Sequence, residues 1–296
     1  MSDSIQVKEG LSEILKRVRR IEIKTRRLSQ QLFAGEYAST FKGRGMAFSE
    51  VREYQIGDDI RTIDWNVTAR FNHPYVKIFE EERELTVMLI IDVSASNFFG
   101  SVERFKIDLV TEIAAILAFS TIQNNDKIGV IFFSDRIERF IPPKKGKSHV
   151  LRIIRDLIEF KPEKHKTDIG LALKYFTNVI KKHCTAFIIS DFDDPNNFRD
   201  ALTIANKKHE VYGLRVFDKR EENIPSLGFI PVRDPETATV QWVDTSSKTF
   251  REKYRQNAIT QRSRLTNIFA RSGVVWSEVV NGEDYVKPLM KLFKSK

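Results

Sequence analysis

The segment Thr86–Ser96 constrains the fold of this chain more than any other part of its sequence. It begins with an uninterrupted apolar run, Thr-Val-Met-Leu-Ile-Ile, which is rich in β-branched residues and carries no charge. Such a run is typical of a central strand in a parallel sheet, because helices cover both faces of that strand. We therefore predict an α/β fold, a doubly wound and mostly parallel sheet, with this strand near its middle.

The rest of the chain alternates between strand and helix patterns, as a doubly wound sheet requires. A loop is predicted at 142–146, where two prolines precede two lysines and a glycine. Helices are predicted at 104–123, 150–160, 168–182, 198–208, 247–272 and 285–293, and further strands at 128–133, 136–141, 185–189, 211–217 and 274–280.

Three parts are predicted along the chain. Residues 1–36 have apolar residues at helical spacing among many Arg and Lys, which indicates an amphipathic helical segment. Residues 37–84 contain short segments separated by glycines, which predicts a small β-rich lobe with three short strands. Residues 85–296 form the sheet domain, into which a hairpin near 227–243 is inserted.

Three oxygen-bearing side chains follow the Thr86 strand at alternate positions, namely Asp92, Ser94 and Ser96. Open α/β sheets place ligand sites at the carboxyl ends of their strands. Carboxylate and hydroxyl oxygens suit Mg²⁺, or another hard divalent cation such as Mn²⁺ or Ca²⁺. The alternative is structural: Asp92 caps the following helix, and the serines make turn hydrogen bonds.

The pattern Asp-x-Ser-x-Ser resembles the first metal-binding segment of von Willebrand factor A domains. The metal-ion-dependent adhesion site of that family also takes a Thr and an Asp from two later loops. Thr167 precedes a helical pattern and Asp191 follows an apolar strand, so both residue types stand here in the matching order. The resemblance implies that Asp92, Ser94, Ser96, Thr167 and Asp191 bind one cation at a common edge of the sheet.

A second resemblance covers most of the chain from about Leu28 onward. The passage from Arg44 through Arg70, followed by Glu81–Glu84 and the Asp92 strand, is similar to the signature of domain-of-unknown-function family fifty-eight. Those bacterial proteins are usually encoded beside MoxR-type AAA+ ATPases. Within the passage, a charge network with a half-buried tryptophan is expected either to close the lobe or to bind a partner, through Arg52, Tyr54, Asp58, Asp59, Arg61, Asp64 and Trp65.

Composition narrows the possible classes of protein. No segment reaches the roughly 18 to 20 apolar residues of a membrane helix, and the N-terminus lacks a signal-peptide pattern. The single cysteine, Cys184, predicts a reduced and partly buried thiol in the cytoplasm. The net charge of +9 lies at the ends: residues 1–44 carry ten basic and five acidic residues, and residues 246–296 carry eleven and four. Solvated helix faces or an acidic protein partner explain these basic ends better than binding of nucleic acid does. Contact with the surface of a membrane is a further alternative.

The predicted chemistry is binding rather than catalysis. The sequence contains no Gly-rich phosphate loop, no His-Glu-x-x-His and no Gly-x-Ser-x-Gly, and we interpret His165, near Thr167, as a loop residue. By resemblance, the chain is expected to be a metal-dependent protein-binding module that works with a MoxR-type ATPase, or with a client protein that offers an acidic side chain. Two alternatives are a metal-dependent phosphoesterase using Asp92, Asp191 and Asp193 or Asp194, and an adaptor that binds nucleic acid or anionic membrane through the basic termini.

Overall fold

The computed structural model describes residues 16, 18–25, 45–82, 85–98, 105–160, 166–233 and 239–294. The chain divides into two compact units. The smaller unit is Phe41–Leu85, and the larger combines Met1–Thr40 with Thr86–Lys296. Most of the amphipathic segment predicted at 1–36 lies outside the described residues, as does His165.

The smaller unit is a two-stranded hairpin that carries two short helices. Strands β1 (Gly45–Glu53) and β2 (Tyr75–Glu82) pair in antiparallel fashion. Between them lie a 3-10 helix at Ile60–Thr62 and helix α1 (Trp65–Phe71). The prediction of three strands was therefore wrong over residues 45–82. The Asp64 carboxylate accepts from the backbone N–H groups of Asn66 and Val67, and this cap begins a helix after Asp64.

The larger unit contains a six-stranded sheet, which confirms the predicted fold class. Its strands are β3 (Thr86–Asp92), β4 (Lys127–Phe133), β5 (Ile137–Lys144), β6 (Thr185–Ser190), β7 (Glu210–Phe217) and β10 (Val275–Val280). Their order in the sheet is β10-β7-β6-β3-β4-β5, so that β3 lies between β6 and β4, and each neighbouring pair is parallel except β4 with β5.

Besides helical residues 18–25, seven α-helices accompany this sheet in the described part of the larger unit. They are α2 (Lys106–Gln123), α3 (Lys147–Glu159), α4 (Ile169–Val179), α5 (Arg199–Lys208), α6 (Lys219–Glu222), α7 (Lys248–Ser272) and α8 (Val286–Lys294). Met88 and Ile90 of β3 share a core cluster with residues of α4, α5 and α7. Leu89 and Ile91 alternate with them and are also fully buried, so both faces of β3 are covered.

Helical residues 18–25 belong to the larger unit and contact it through both apolar and charged groups. Val18 and Ile21 are buried. The Lys24 ammonium lies 2.7 Å from the Glu112 carboxylate of α2, and the Glu22 carboxylate lies 2.6 Å from the Lys147 ammonium of α3. These contacts dock the segment on its own chain, as a helix with one apolar face requires.

Two further features of the larger unit bear on the sequence predictions. The loop predicted at 142–146 was wrong in part, because β5 continues through Pro142 and Pro143 to Lys144. It pairs on one side only, at the edge of the sheet, where proline's missing N–H is tolerated. Strands β8 (Phe229–Arg233) and β9 (Val240–Asp244) pair as an antiparallel hairpin. Over the described residues, no helix combines the length and the hydrophobicity that a membrane span needs.

Candidate metal centre

Four of the five predicted metal ligands lie at the carboxyl ends of two neighbouring strands. Asp92 ends β3, and Ser94 and Ser96 follow it within the next four residues. Asp191 comes directly after β6, which pairs with β3 in parallel register. Because parallel neighbours end at the same edge, the fold brings these side chains to one edge of the sheet.

Asp92 is fully buried, and both of its carboxylate oxygens accept hydrogen bonds from the protein. The backbone N–H of Ser94 donates to Oδ1 at 2.9 Å, and the Ser190 hydroxyl donates to Oδ2 at 2.6 Å. The Asn97 side-chain amide donates to the Asp92 carbonyl oxygen at 3.0 Å and holds the loop against the strand end. The turn hydrogen bond of the structural alternative is thus present, so Asp92 orders this loop whatever else it binds.

The hydroxyls of Ser94 and Ser96 and the carboxylate of Asp191 lie at the same edge of the sheet as Asp92. The Oγ atoms of Ser94 and Ser96 lie 3.0 Å apart. Asp191 accepts from its own loop at Oδ1, where the backbone N–H of Asp193 donates at 3.1 Å. At Oδ2 it accepts from the ammonium of Lys106, the first residue of α2, at 2.9 Å.

Lys106 is the central cation of the site. Its side chain is fully buried, and its Nζ also lies 2.6 Å from Oε1 of Glu221 in α6. Burial lowers the pKa of the ammonium, but attraction to Asp191 and Glu221 outweighs burial, so the pKa is raised and Lys106 stays charged. Glu221 is fixed in turn, because its Oε2 accepts from the backbone N–H of Asp218 at 2.9 Å.

The two aspartates are pushed in opposite electrostatic directions. Burial raises the pKa of Asp92 well above its usual range, and repulsion from Asp191 adds to the rise. Burial also opposes ionisation of Asp191, but the Lys106 ammonium and hydrogen bonds from Lys106 and Ser96 lower its pKa overall. Asp191 is therefore the ionised member of the pair, with Lys106 as its counter-charge.

Thr167, the fifth predicted ligand, is buried and lies in the segment directly before α4. The neighbouring Asp168 caps α4 by accepting from the backbone N–H of Leu171 at 2.7 Å. Asp194 accepts from the backbone N–H of Ile169 at 2.8 Å, which fixes the start of α4 near the strand end of β6.

The donor set suits a hard cation. Among the described residues, no three His, Cys, Asp or Glu side chains gather as a metal cluster, so a cation here would be held by two carboxylates and hydroxyls. Ser94 and Ser96 are hydrogen-bonded through their hydroxyls at 3.0 Å. Neighbouring ligands on one Mg²⁺ ion would lie at a similar distance, since bonds of about 2.1 Å at right angles place two oxygens about 3 Å apart. Asp191, however, already has a cationic partner in Lys106.

Sequence reasoning missed Lys106, Ser190 and Glu221. Ser190 stands beside Asp191, and its position at the strand end was a usable signal. Lys106 is the only basic residue of α2 and lies in its first turn, where the helix dipole disfavours a cation. That unfavourable placement was the one sign that Lys106 has a specific partner. Glu221 gave no comparable sign, because it stands in the charged run Lys219–Glu222.

A cavity of about 420 Å³ opens beside the site. Ser96, Asp191 and Glu221 line it, and α7 and the β8–β9 hairpin contribute other walls. Asp193 and Asp194 add two more carboxylates, and burial raises the pKa of each above its usual range. Two arginines also line the cavity and are engaged: Arg215 donates to Glu222 and Glu278, and Arg264 to the carbonyl oxygens of Pro195 and Asn196.

The signature residues of the smaller unit serve different purposes. Arg52 makes a two-pronged ion pair with Asp58, at 2.7 and 2.8 Å, and lowers the pKa of that carboxyl. Asp59 caps the 3-10 helix, and Asp64 caps α1 and lies 3.4 Å from the Lys77 ammonium. Tyr54 is half-buried, and its backbone N–H donates a hydrogen bond to the Pro74 carbonyl oxygen at 2.8 Å.

Two expectations for this signature were wrong. Arg61 is exposed, and its side chain makes no ion pair within the described residues, so it does not close the lobe. Trp65 was expected to be half-buried but is 67% exposed, because it begins α1 on the side that faces solvent. Within the signature, the lobe is therefore held by the ion pair of Arg52 and Asp58, together with the caps that Asp59 and Asp64 provide.

Comparison with known proteins gives a family and no activity. Residues 50–264 match the family described as "Protein of unknown function DUF58". An uncharacterized protein of Mycobacterium tuberculosis is 26% identical over 281 residues, covering 94% of this chain and 88% of that protein.

Solved structures with a similar fold are distant in sequence. The conserved hypothetical protein BatB from Bacteroides thetaiotaomicron is 17% identical, covers 70% of this chain and 96% of its own, and has a TM-score of 0.47. The von Willebrand factor A (VWA) domain of SpRpn10 is 12% identical, covers 45% of this chain and 75% of its own, and has a TM-score of 0.33. At these values the likenesses carry no functional argument.

Proposed function

The chain belongs to the family described as protein of unknown function DUF58, and we propose that it acts as a metal-dependent protein-binding module. Its partner, by the resemblance of its sequence motifs, is a MoxR-type AAA+ ATPase or a client protein on which that ATPase acts. In this role the chain is an adaptor or co-chaperone in the assembly or maturation of protein complexes.

The observation that carries this proposal is the group of oxygen atoms at the carboxyl edge of the sheet. Ser94 and Ser96 present hydroxyls 3.0 Å apart, and Asp92 and Asp191 bring two carboxylates close enough to repel each other. A bound Mg²⁺ ion would supply positive charge and an open coordination position for an anionic oxygen of the partner. Asp92 and Asp191 are the residues whose charge would hold it.

The acidic cavity supports a requirement for a cation. Its wall includes Asp191, Asp193, Asp194 and Glu221. A partner carboxylate that approached this wall would be repelled, and Arg215, which also lines the cavity, is already paired with Glu222 and Glu278. Recognition of an acidic side chain at this place therefore needs additional positive charge, which a divalent cation at the strand ends would provide.

Exposed aromatic residues on the β8–β9 hairpin, which contributes one wall of the cavity, support a protein partner. Phe229 and Trp242 of the β8–β9 hairpin stack with ring centroids 5.6 Å apart, and they are 66% and 62% exposed. Val232 of the same hairpin lines the cavity. Large aromatic side chains are enriched in protein interfaces, where they bury much area at low entropic cost. A small-ion or phosphate substrate would leave them without a role.

The test is capture of the purified MoxR-type ATPase by wild type and by Asp92→Asn, with Mg²⁺ or with EDTA, and without nucleotide, whose own Mg²⁺ would confuse the readout. We expect Asp92→Asn to weaken capture at least about tenfold in Mg²⁺, which is about 1.4 kcal/mol, and EDTA to do the same to wild type. It should also abolish any Mg²⁺-induced rise in melting temperature.

Asp156→Asn is the matched control, because Asp156 is a buried carboxylate that pairs with Arg139 and does not line the cavity. It should capture the ATPase as wild type does. Full Mg²⁺-dependent capture by folded Asp92→Asn would show that the proposed centre is not the binding site.

A further inference from the structure

The buried Lys106 occupies a position that is unfavourable for a cation in two ways. It has no exposed surface, so its ammonium is removed from water. It also lies in the first turn of the 18-residue helix α2, where the helix dipole repels positive charge. Two carboxylates, those of Asp191 and Glu221, offset these costs with contacts of 2.9 and 2.6 Å. An apolar side chain would be the ordinary occupant of such a position.

The two anchors of Lys106 are independent of each other. Asp191 follows β6, whereas Glu221 lies in α6 after β7. The capping box of α6 fixes Glu221, because its second oxygen accepts from the backbone N–H of Asp218. Lys106 thus keeps a carboxylate partner at Glu221 even when Asp191 is engaged by something else.

The protein groups already satisfy Asp191 without a metal. Oδ1 accepts from the backbone N–H of Asp193, and Oδ2 accepts from Lys106. A divalent cation that bound between Asp92 and Asp191 would meet the ammonium as a competitor of the same sign.

We propose that Lys106 is a built-in counter-cation that competes with the divalent cation for Asp191. It holds the acidic strand ends together when no metal is bound, and it weakens metal binding so that the site is filled only at high free metal or together with a partner carboxylate. This inference rests on the proposed function, because the competing ion is the one assigned there to Asp92 and Asp191.

The experiment measures binding of Mn²⁺ alone to the full chain by calorimetry and by the Mn²⁺ paramagnetic resonance signal. Lys106→Met removes the ammonium but leaves the buried Asp191 and the half-buried Glu221 without their cation, which threatens folding. The double variant Lys106→Met with Glu221→Gln removes one charge of each sign, so the net charge of the site is unchanged. We expect the double variant to bind Mn²⁺ at least about tenfold more tightly than wild type, since an ammonium at this distance changes a carboxylate's affinity for a proton by about ten- to a thousandfold.

Melting temperatures give a second readout. Without metal, the double variant should melt below wild type, and Mn²⁺ should raise its melting temperature more than it raises that of wild type. Adding Asp92→Asn to the double variant should remove both gains, which locates the ion at this site.

Two outcomes overturn the proposal, and they differ in what they mean for the function. Equal Mn²⁺ affinity in wild type and double variant, lost in both with Asp92→Asn, would remove the competition and keep the metal-dependent site. No Mn²⁺ binding by the folded double variant would remove the competition and the metal requirement together, and capture of the ATPase by Asp92→Asn would then decide whether the site binds a partner at all.

Discussion

At the scale of single residues, burial and the nearest opposite charge together set the protonation of the buried polar side chains. Asp92 and Asp191 are both buried, but burial raises the pKa of Asp92, whereas the Lys106 ammonium lowers the pKa of Asp191. The same principle applies to Cys184, where burial raises the pKa of the thiol to about 12. The thiol is therefore protonated and unreactive at neutral pH, in a buried site.

His209 provides a residue-scale prediction about acid stability. The buried imidazole contacts the Cys184 sulfur at 3.4 Å and packs on the Phe176 ring. Burial, with repulsion from His183 and Lys208, lowers its pKa from 6.5 to about 4. Because the unfolded chain binds this proton at higher pH, the stability from neutral His209 is present above pH 6.5 and is lost as pH falls toward 4.

We expect this loss to reach about 2–3 kcal/mol in the free energy of unfolding at pH 4. Urea denaturation of wild type and His209→Gln between pH 4 and pH 7 gives the two free energies of unfolding. Their difference should change with pH as expected for the binding of one proton. The exposed His73→Gln is the control and should track wild type. Parallel pH profiles for wild type and His209→Gln would contradict the prediction.

At the scale of elements, β4 and β5 pair around a glycine that has no room for a side chain. A Cβ atom on Gly129 would lie 2.7 Å from the Met88 sulfur and 2.9 Å from both the Ile141 carbonyl oxygen and the Pro143 nitrogen. The register between β4 and β5 shifts at this point. The close approach of the proline-containing edge strand therefore depends on Gly129.

Gly129→Ala should lower the free energy of unfolding by about 1–3 kcal/mol, because backbone atoms of β5 must move to admit the methyl group. Gly170→Ala is the comparison, since its nearest neighbour would be a side-chain oxygen of Asp168 at 3.3 Å. We expect the smaller loss there, with both measured by urea denaturation. If Gly129→Ala is as stable as wild type, β5 is free to shift and the glycine is not required.

At the scale of the whole molecule, the charges around the cavity bear on the choice between a binding protein and a phosphoesterase. A phosphate clamp needs cations free to contact the substrate. Among the described residues, Lys106 is paired with two carboxylates and Arg215 with two glutamates, and the exposed Arg264 donates to two carbonyl oxygens. The acidic wall of the cavity would also repel a phosphate dianion.

We therefore expect no release of phosphate from p-nitrophenyl phosphate with Mn²⁺ or Mg²⁺ beyond that of Asp92→Asn. The assay monitors nitrophenolate absorbance at several protein concentrations, and Asp156→Asn serves again as the matched variant. Release that is proportional to protein concentration and abolished by Asp92→Asn would establish the hydrolytic alternative.

The sequence alone determined the features that depend on neighbours along the chain. The apolar run of β3 identifies a strand buried on both faces, because water would otherwise contact one of them. Asp92, Ser94 and Ser96 are close in the structure since they are close in sequence, and the position of Asp191 after a parallel strand placed it at the same edge. The prediction that Trp65 is half-buried was wrong, because the local sequence pattern does not show which side of α1 faces solvent.

Only the tertiary structure decided that the Lys106 ammonium lies beside Asp191 and Glu221. Lys106 is 85 residues from Asp191 and 115 from Glu221 along the chain, and no local pattern connects them. Their contact arises because α2, the end of β6 and the start of α6 meet at one edge of the folded sheet. A buried charge is stable only where folding brings an opposite charge to it, so the partner of a buried lysine is a property of the packed molecule.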